Sequence, residues 1–243
     1  MRVKLGRIKS PHDDRDLRLS KLLKPNLPAP PFAGNYDRKV ARKVLPIWGN
    51  DTVGNCAFAA QAAHILTWTA NATGIPYTAS TSEVNAAYSA VTGYTVGKPQ
   101  TDRGTHLRDA LKWWQNYGIG GYKITAYTRV NPSDIDLVKQ AIWLFGGLYV
   151  GAQLPKRCQN SFGAWDNRGN TPEDRPNSWG GHAMSLAHYD AQGVYFKTWG
   201  RYQYATWSWW QRYVDEVWCV IGPTWRDASA YDASELDRML EAI

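Results

Sequence analysis

The hydrophobic period of the chain changes at Gly146-Gly147, and this limits the folds open to it. Before that point apolar residues recur at helical spacing. After it they fall into short strand-like runs. A chain that places helices first and strands later segregates the two kinds of structure, so the expected class is α+β. The predicted build is a helical lobe packed against an antiparallel sheet lobe, and 243 residues suffice for such a pair sharing a cleft.

The first helix is predicted from Cys56 to about Ala72, with Gly74 as its stop, and with Phe58, Ala62, Ile65, Leu66 and Thr69 on one face. A second follows the capping box Ser80-x-x-Glu83, buries Val84, Ala87, Tyr88 and Val91, and stops at Gly93. A third begins at Thr105, carries Leu107, Ala110, Leu111 and Trp114 inward, and ends at Gly118. A fourth starts at Asn131-Pro132, an N-cap followed by proline at the first helical position. Strands are predicted at 148–154, 181–189, 193–198 and 216–221, with Asp190 to Gly193 as a hairpin connection. The polar stretch 155–180 reads as a long functional loop.

Three segments are expected: an extended N-terminal arm over 1–44, a main domain over 45–223, and a C-terminal helical tail over 224–243 with a helix from Ser234 to Ala242. Pro25, Pro28, Pro30 and Pro31 keep the second half of the arm out of helix, and Asp16 to Leu19 alternates weakly like an edge strand. The arm is basic, but Asp13, Asp14 and Asp16 interrupt its charge and no nucleic-acid-binding motif accompanies it. A solvated arm wrapping the body is therefore expected, with no nucleic-acid partner. No apolar run reaches the ~20 residues of a membrane span, and no signal-peptide core is seen at the N-terminus. Cys56, Cys158 and Cys219 form no Cys-x-x-Cys pair, and the five histidines have no zinc spacing. No metal or other cofactor is expected. The expected location is the cytoplasm or a phage particle.

Chemistry concentrates at two places. Gly54-Asn55-Cys56 sets a thiol at the junction of a turn and an apolar helix. The positive end of the helix and a neighbouring imidazolium both lower a thiol pKa. A turn before the helix suggests exposure, although a buried cysteine on an alanine-rich helix is the plain alternative. Gly180-Gly181-His182 then opens a strand with a histidine that another backbone can approach closely. His64, two turns beyond Cys56, and His188 read as structural, and His106 as solvated. The thirteen tryptophans, including Trp113, Trp114, Trp143, Trp165 and the run Trp207 to Tyr213, either line a groove or fill the core, and core is expected for most.

In order along the chain, the stretch Gly49 to Cys56, the stretch Gly104 to Leu111, the run Gly180-Gly181-His182-Ala183-Met184 and Thr198-Trp199-Gly200 resemble bacterial and phage papain-like cysteine peptidases. So does the lead-in Lys9 to Asp16. The resemblance implies a papain-like two-lobe fold and cleavage of peptide or amide bonds in a protein or peptide substrate. It implies Cys56 as nucleophile, His182 as its partner and Trp199 as a shield against water. The oxyanion-hole glutamine of the family is Asn50 here, one methylene shorter. The family's imidazole-orienting Asn falls at Lys197 or Thr198; Thr198 is preferred because an ammonium has no acceptor. Val53 replaces the disulfide cysteine of secreted members, and the 55 residues before Cys56 are few for a long inhibitory propeptide. The altered Asn50 and Thr198 keep a second reading open, an inactive fold serving as a structural or assembly protein with virion partners. Transglutaminase or amidase chemistry is disfavoured, because Asp190 and His188 follow His182 too closely.

Overall fold

Glycines end the helices of this chain by taking the left-handed turn that other residues resist. Gly74 (φ 77°), Gly93 (φ 73°) and Gly146 (φ 75°) each cap one. The computed structural model describes residues 3–40, 45–161, 163–223 and 234. In chain order its elements are β1 (Arg7–Ile8), α1 (Leu19–Leu22), β2 (Gly34–Asn35), α2 (Cys56–Thr73), α3 (Thr81–Thr92), β3 (Thr105–His106), α4 (Leu107–Asn116), β4 (Ala126–Arg129), α5 (Ile135–Phe145), β5 (Leu148–Leu154), β6 (Gly180–Tyr189), β7 (Gly193–Thr198), β8 (Arg201–Thr206), α6 (Trp207–Tyr213) and β9 (Val214–Ile221). The predicted helix from Ser234 to Ala242 lies outside the described residues, Ser234 excepted.

The class is α+β, as the change of period implies. Strands β4 to β9 form an antiparallel sheet in the order β4-β9-β5-β6-β7-β8, with β2 added beside β6. Its central strands are covered on both faces, so their sequences read as nearly continuous apolar runs. The alternation is still legible in what each residue meets. Leu148, Val150, Met184, Leu186, Val217 and Cys219 join α5 and α6 in one core. Tyr149, Ala183, Trp218 and Val220 point the other way, into a second core with α2, α3 and α4. Trp114, Trp165, Trp209, Trp210 and Trp218 are fully buried, so these rings are core rather than groove.

Two helices start later than their sequence signals. Thr105 and His106 do not open α4, because they pair in parallel with Arg7 and Ile8 of the arm. At α5 the Asn131 side chain accepts from the Ser133 N–H in a local turn, and Asp134 caps the helix by accepting from the Leu137 N–H. The arm is not a solvated strap. Leu17, Leu19 and Leu22 are buried in the sheet-lobe core, and Arg7 is 5 % exposed.

A buried ion pair joins three elements. Lys197 Nζ of β7 donates to Asp37 Oδ1 at 2.5 Å and lies 2.6 Å from Thr67 Oγ1 of α2. Removing one partner strands the other charge out of water. Asp37→Leu is expected to cost about 3–5 kcal/mol in chemical denaturation, and Asp37→Leu with Lys197→Met to recover most of it. A near-neutral single variant would contradict a buried pair.

Candidate active site

Cys56 is the first residue of α2, and the loop before it is fixed by side chains. Asn55 Nδ2 donates to the Trp48 carbonyl and to Asn85 Oδ1, both at 2.8 Å. The Gly54 N–H donates to Asp102 Oδ2 at 2.9 Å. Asn50 Nδ2 donates to the Val53 carbonyl at 2.9 Å and, at 3.3 Å, to the carbonyl of Lys4 in the arm.

His182 comes from the start of β6, one residue before Ala183, whose backbone hydrogen-bonds the Cys56 thiol. His182 Nε2 lies 2.6 Å from Thr198 Oγ1, and Trp199 stacks on the imidazole at 4.1 Å between centroids. A two-residue hairpin between Thr198 and Arg201 sets this geometry. Trp199 (φ 46°) and Gly200 (φ 72°) both take left-handed conformations, as the tightest β-hairpin turns require. A bulky residue is strained there, and the strain places the indole over His182. Lys197 points to the opposite face of β7, toward Asp37 and Thr67, and takes no part in the cluster. Thr198 is thus the residue at His182, and Asn50, Cys56, Thr198 and Trp199 line one cleft, with His182 held behind it by Thr198 and Trp199.

The cleft is occupied by the chain itself. Residues 4–8 run through it, and both walls make room by lacking side chains. A Cβ on Gly6 would meet the Gly54 carbonyl oxygen at 1.9 Å, and one on Gly181 would meet the Arg7 carbonyl oxygen at 2.2 Å. The Gly6 carbonyl accepts from the Thr105 N–H at 2.8 Å, and the Lys4 N–H donates to the Asn50 carbonyl at 3.0 Å. Trp199 Nε1 also reaches the Lys4 carbonyl, at 3.4 Å. Arg7 anchors the strand, donating to Asp215 at 2.7 Å and to the fully buried Glu216 at 2.5 Å. Burial pushes the Glu216 carboxyl up, but Arg7, Ser10 and Trp218 more than offset this and hold it below the usual carboxylate range. A void of only about 10 Å³ remains beside Asn50, Cys56, Ala183, Thr198 and Trp199, too small for a substrate.

This packing sets the ionisation. Cys56 is 1 % exposed, contrary to the exposure its turn suggests, because the arm covers it. Burial pushes its thiol up to about 11, outweighing the hydrogen bonds of the Ala183, Gly6 and Ala57 backbone. Burial likewise drives His182 down to about 3, and its Nδ1 has no hydrogen-bond partner. With the arm in place the two groups are a neutral thiol and a neutral imidazole. Among the described residues no group of three or more His, Cys, Asp or Glu is placed to hold a metal.

The arm in the cleft, its anchors Arg7 and Glu216, and Asp102, which meets Lys4 Nζ of the arm at 2.6 Å, escaped sequence reasoning. The usable signal was Glu216 itself, an acid inside an apolar strand that needs a buried cation.

The same architecture occurs in solved structures. Xylellain, a cysteine protease from Xylella fastidiosa, superposes with a TM-score of 0.69 at 18% identity, covering 91% of this chain and 97% of its own. Procathepsin B from Trypanosoma congolense gives 0.60 at 10% identity, covering 90% and 86%. A Carica candamarcensis cysteine protease in complex with E-64 gives 0.55 at 12% identity, covering 79% and 99%. Neither a family model nor a curated protein sequence matches this chain. The fold is the papain-like fold shared by these cysteine proteases.

Two outcomes are expected. His64 and His182 both fall to about 3 on folding, from an ordinary 6.5, so only the unfolded chain binds their protons between those values. Stability is therefore full above pH ~6.5 and is lost as pH falls toward ~3, at a limiting slope of about 1.4 kcal/mol per pH unit for each histidine. Thermal melts from pH 7 to pH 4 should show this, with a shallower slope in His182→Gln. An unchanged slope would argue against a buried neutral His182. Separately, Gly6→Val cannot keep its strand against the Gly54 carbonyl. It should speed reaction of Cys56 with Ellman's reagent by about tenfold or more in a Cys158→Ser, Cys219→Ser background. No acceleration would mean that the strand does not cover the thiol.

Proposed function

We propose that this chain is a papain-like cysteine hydrolase that cleaves peptide or amide bonds and is held latent by its own N-terminal strand. The observation that carries the reading is the Lys4 carbonyl, which already accepts from Asn50 Nδ2 beside Cys56. The cleft holds an extended backbone and offers an amide donor to a peptide carbonyl, which is what an acyl-transfer site must do.

In this reading the strand leaves, a substrate takes its place, and proton transfer gives Cys56 thiolate and His182 imidazolium. The thiolate adds to the scissile carbonyl carbon, and the oxyanion is held by the Cys56 N–H and Asn50 Nδ2. The tetrahedral adduct collapses as the C–N bond breaks. His182 gives its proton to the leaving amine, and a thioester on Cys56 remains. Water, deprotonated by His182, then releases the acid and restores the thiol. Donation from Nε2–H to Thr198 Oγ1 would leave Nδ1 as the basic nitrogen, and Trp199 would keep water off that bond.

The similar solved structures support the coarse assignment, a hydrolase of the cysteine-protease kind. The second reading, a fold kept for assembly, is favoured by one observation: Arg7 and Glu216 bury an ion pair that fastens the strand as firmly as a core element.

Incubation of the Gly6→Val protein with E-64 should label Cys56, and His182→Ala in that background should abolish labelling. Thr198→Val should lower kcat/KM on a casein or peptide-library substrate by at least about tenfold, or ~1.4 kcal/mol. Absence of both labelling and turnover after strand release would favour the assembly reading.

A further inference from the structure

The face of the sheet opposite Thr198 carries a second cavity, of about 270 Å³, lined by Asn35, Asp37, His188, Tyr195, Tyr202 and Tyr204. It is built by strand pairing. Tyr195 lies opposite Tyr204 and Lys197 opposite Tyr202 across β7 and β8, so one face receives all four side chains. The rings form a continuous wall. His188 stacks on Tyr195 at 4.0 Å and 9°, and Tyr195 meets Tyr204 at 4.8 Å and 48°. All three tyrosines remain half-buried, with ring surface facing the cavity.

The polar end of the cavity is Asp37, 4 % exposed. Its Oδ1 accepts from Lys197 Nζ and Thr67 Oγ1. Its Oδ2 is buried with no hydrogen-bond partner. An unpaired carboxylate oxygen at that depth is costly. Asn35 also lines the cavity, and its Oδ1 accepts from the Asp37 N–H at 3.0 Å.

We propose that this cavity binds a pyranose ring, with an apolar C–H face on the tyrosines and its hydroxyls toward the polar lining residues Asn35 and Asp37. An organic cation suits the rings as well, through their quadrupole, but it gains no further attraction from an uncompensated charge at the polar end. Here the Asp37 charge is already balanced by Lys197, so a neutral ligand with both an apolar face and hydroxyl donors matches better. The volume lies just below the roughly 300–1,000 Å³ of small-molecule sites, which suits a single ring. Because Lys197 and Thr198 are consecutive on β7, a sugar held here lies on the back of the strand that carries the His182 partner. The site would hold a glycan-bearing partner against the sheet lobe. It does not depend on hydrolysis, and its failure would leave the hydrolase reading untouched.

The test is saturation-transfer difference NMR on the full chain. Maltotriose and chitotriose serve as the plain-hexose and N-acetylhexosamine probes, and choline as the cation probe. Transfer to at least one saccharide is expected, falling by about fivefold or more in Tyr204→Ala and Tyr195→Ala. Tyr204→Phe, which keeps the ring, should retain it. Thermal melts would confirm that each variant is folded; if an alanine variant is not, Tyr195→Leu and Tyr204→Leu, which keep side-chain bulk without the ring, replace it with the same expected loss and the same overturning result. Transfer to maltotriose alone or chitotriose alone would identify the sugar class. No saccharide transfer in the wild-type chain, transfer unchanged in both alanine variants, or transfer to choline only would overturn the proposal.

Discussion

A guanidinium almost wholly removed from water holds the N-terminal strand between the lobes. Arg7 meets Glu216 and Asp215 of β9, and Glu216 in turn receives the Ser10 N–H and the Trp218 indole N–H. Neither charge in such a pair is easily left behind, because an uncompensated buried ion costs about 3–5 kcal/mol. Strand release therefore has to move Arg7 out while Glu216 gains water or a proton. The paired backbone at Thr105 and the close approaches at Gly54 and Gly181 all follow from where Arg7 pulls the chain.

The electrostatics of the cleft depend on that placement. A thiol at the start of an 18-residue helix should ionise easily, since the helix end is partly positive. Under the strand it does the reverse, because desolvation outweighs the local hydrogen bonds. The same burial removes the charge from His182. A thiolate–imidazolium pair thus requires water or a substrate where Gly6 now lies. Covering the site and neutralising it are one physical event.

Local rules made much of this legible in the sequence. The capping box at Ser80 and Glu83, the αL glycines at 74, 93 and 146, and the strands at 148–154 and 193–198 stand where their signals lie. The segments that were missed depend on distant partners. Thr105 and His106 look helical until Arg7 and Ile8 claim them. In strand β8 the tyrosines Tyr202 and Tyr204 take the half-buried face and Gln203 and Ala205 the inner one, the reverse of what ring hydrophobicity suggests, and helix α6 carries no clean period because Trp209, Trp210 and Tyr213 are all buried and Trp207 packs against the same core. Within the cleft, the choice between Lys197 and Thr198 was resolvable from the chemistry of acceptors. The burial of Cys56 was not, since nothing local to Gly54-Asn55-Cys56 announces a strand arriving from about 50 residues upstream.

The most direct measurement of this account is the thiolate absorbance of Cys56 against pH, in a chain with Cys158 and Cys219 replaced by serine. With the strand in place the thiol should titrate near pH 11. In Gly6→Val, with the strand displaced, the midpoint should fall below the ~8.5 of a free cysteine, as the helix end and His182 begin to act on it. A low midpoint in the unaltered chain, or the same high midpoint after displacement, would contradict the claim that the N-terminal strand governs the state of Cys56.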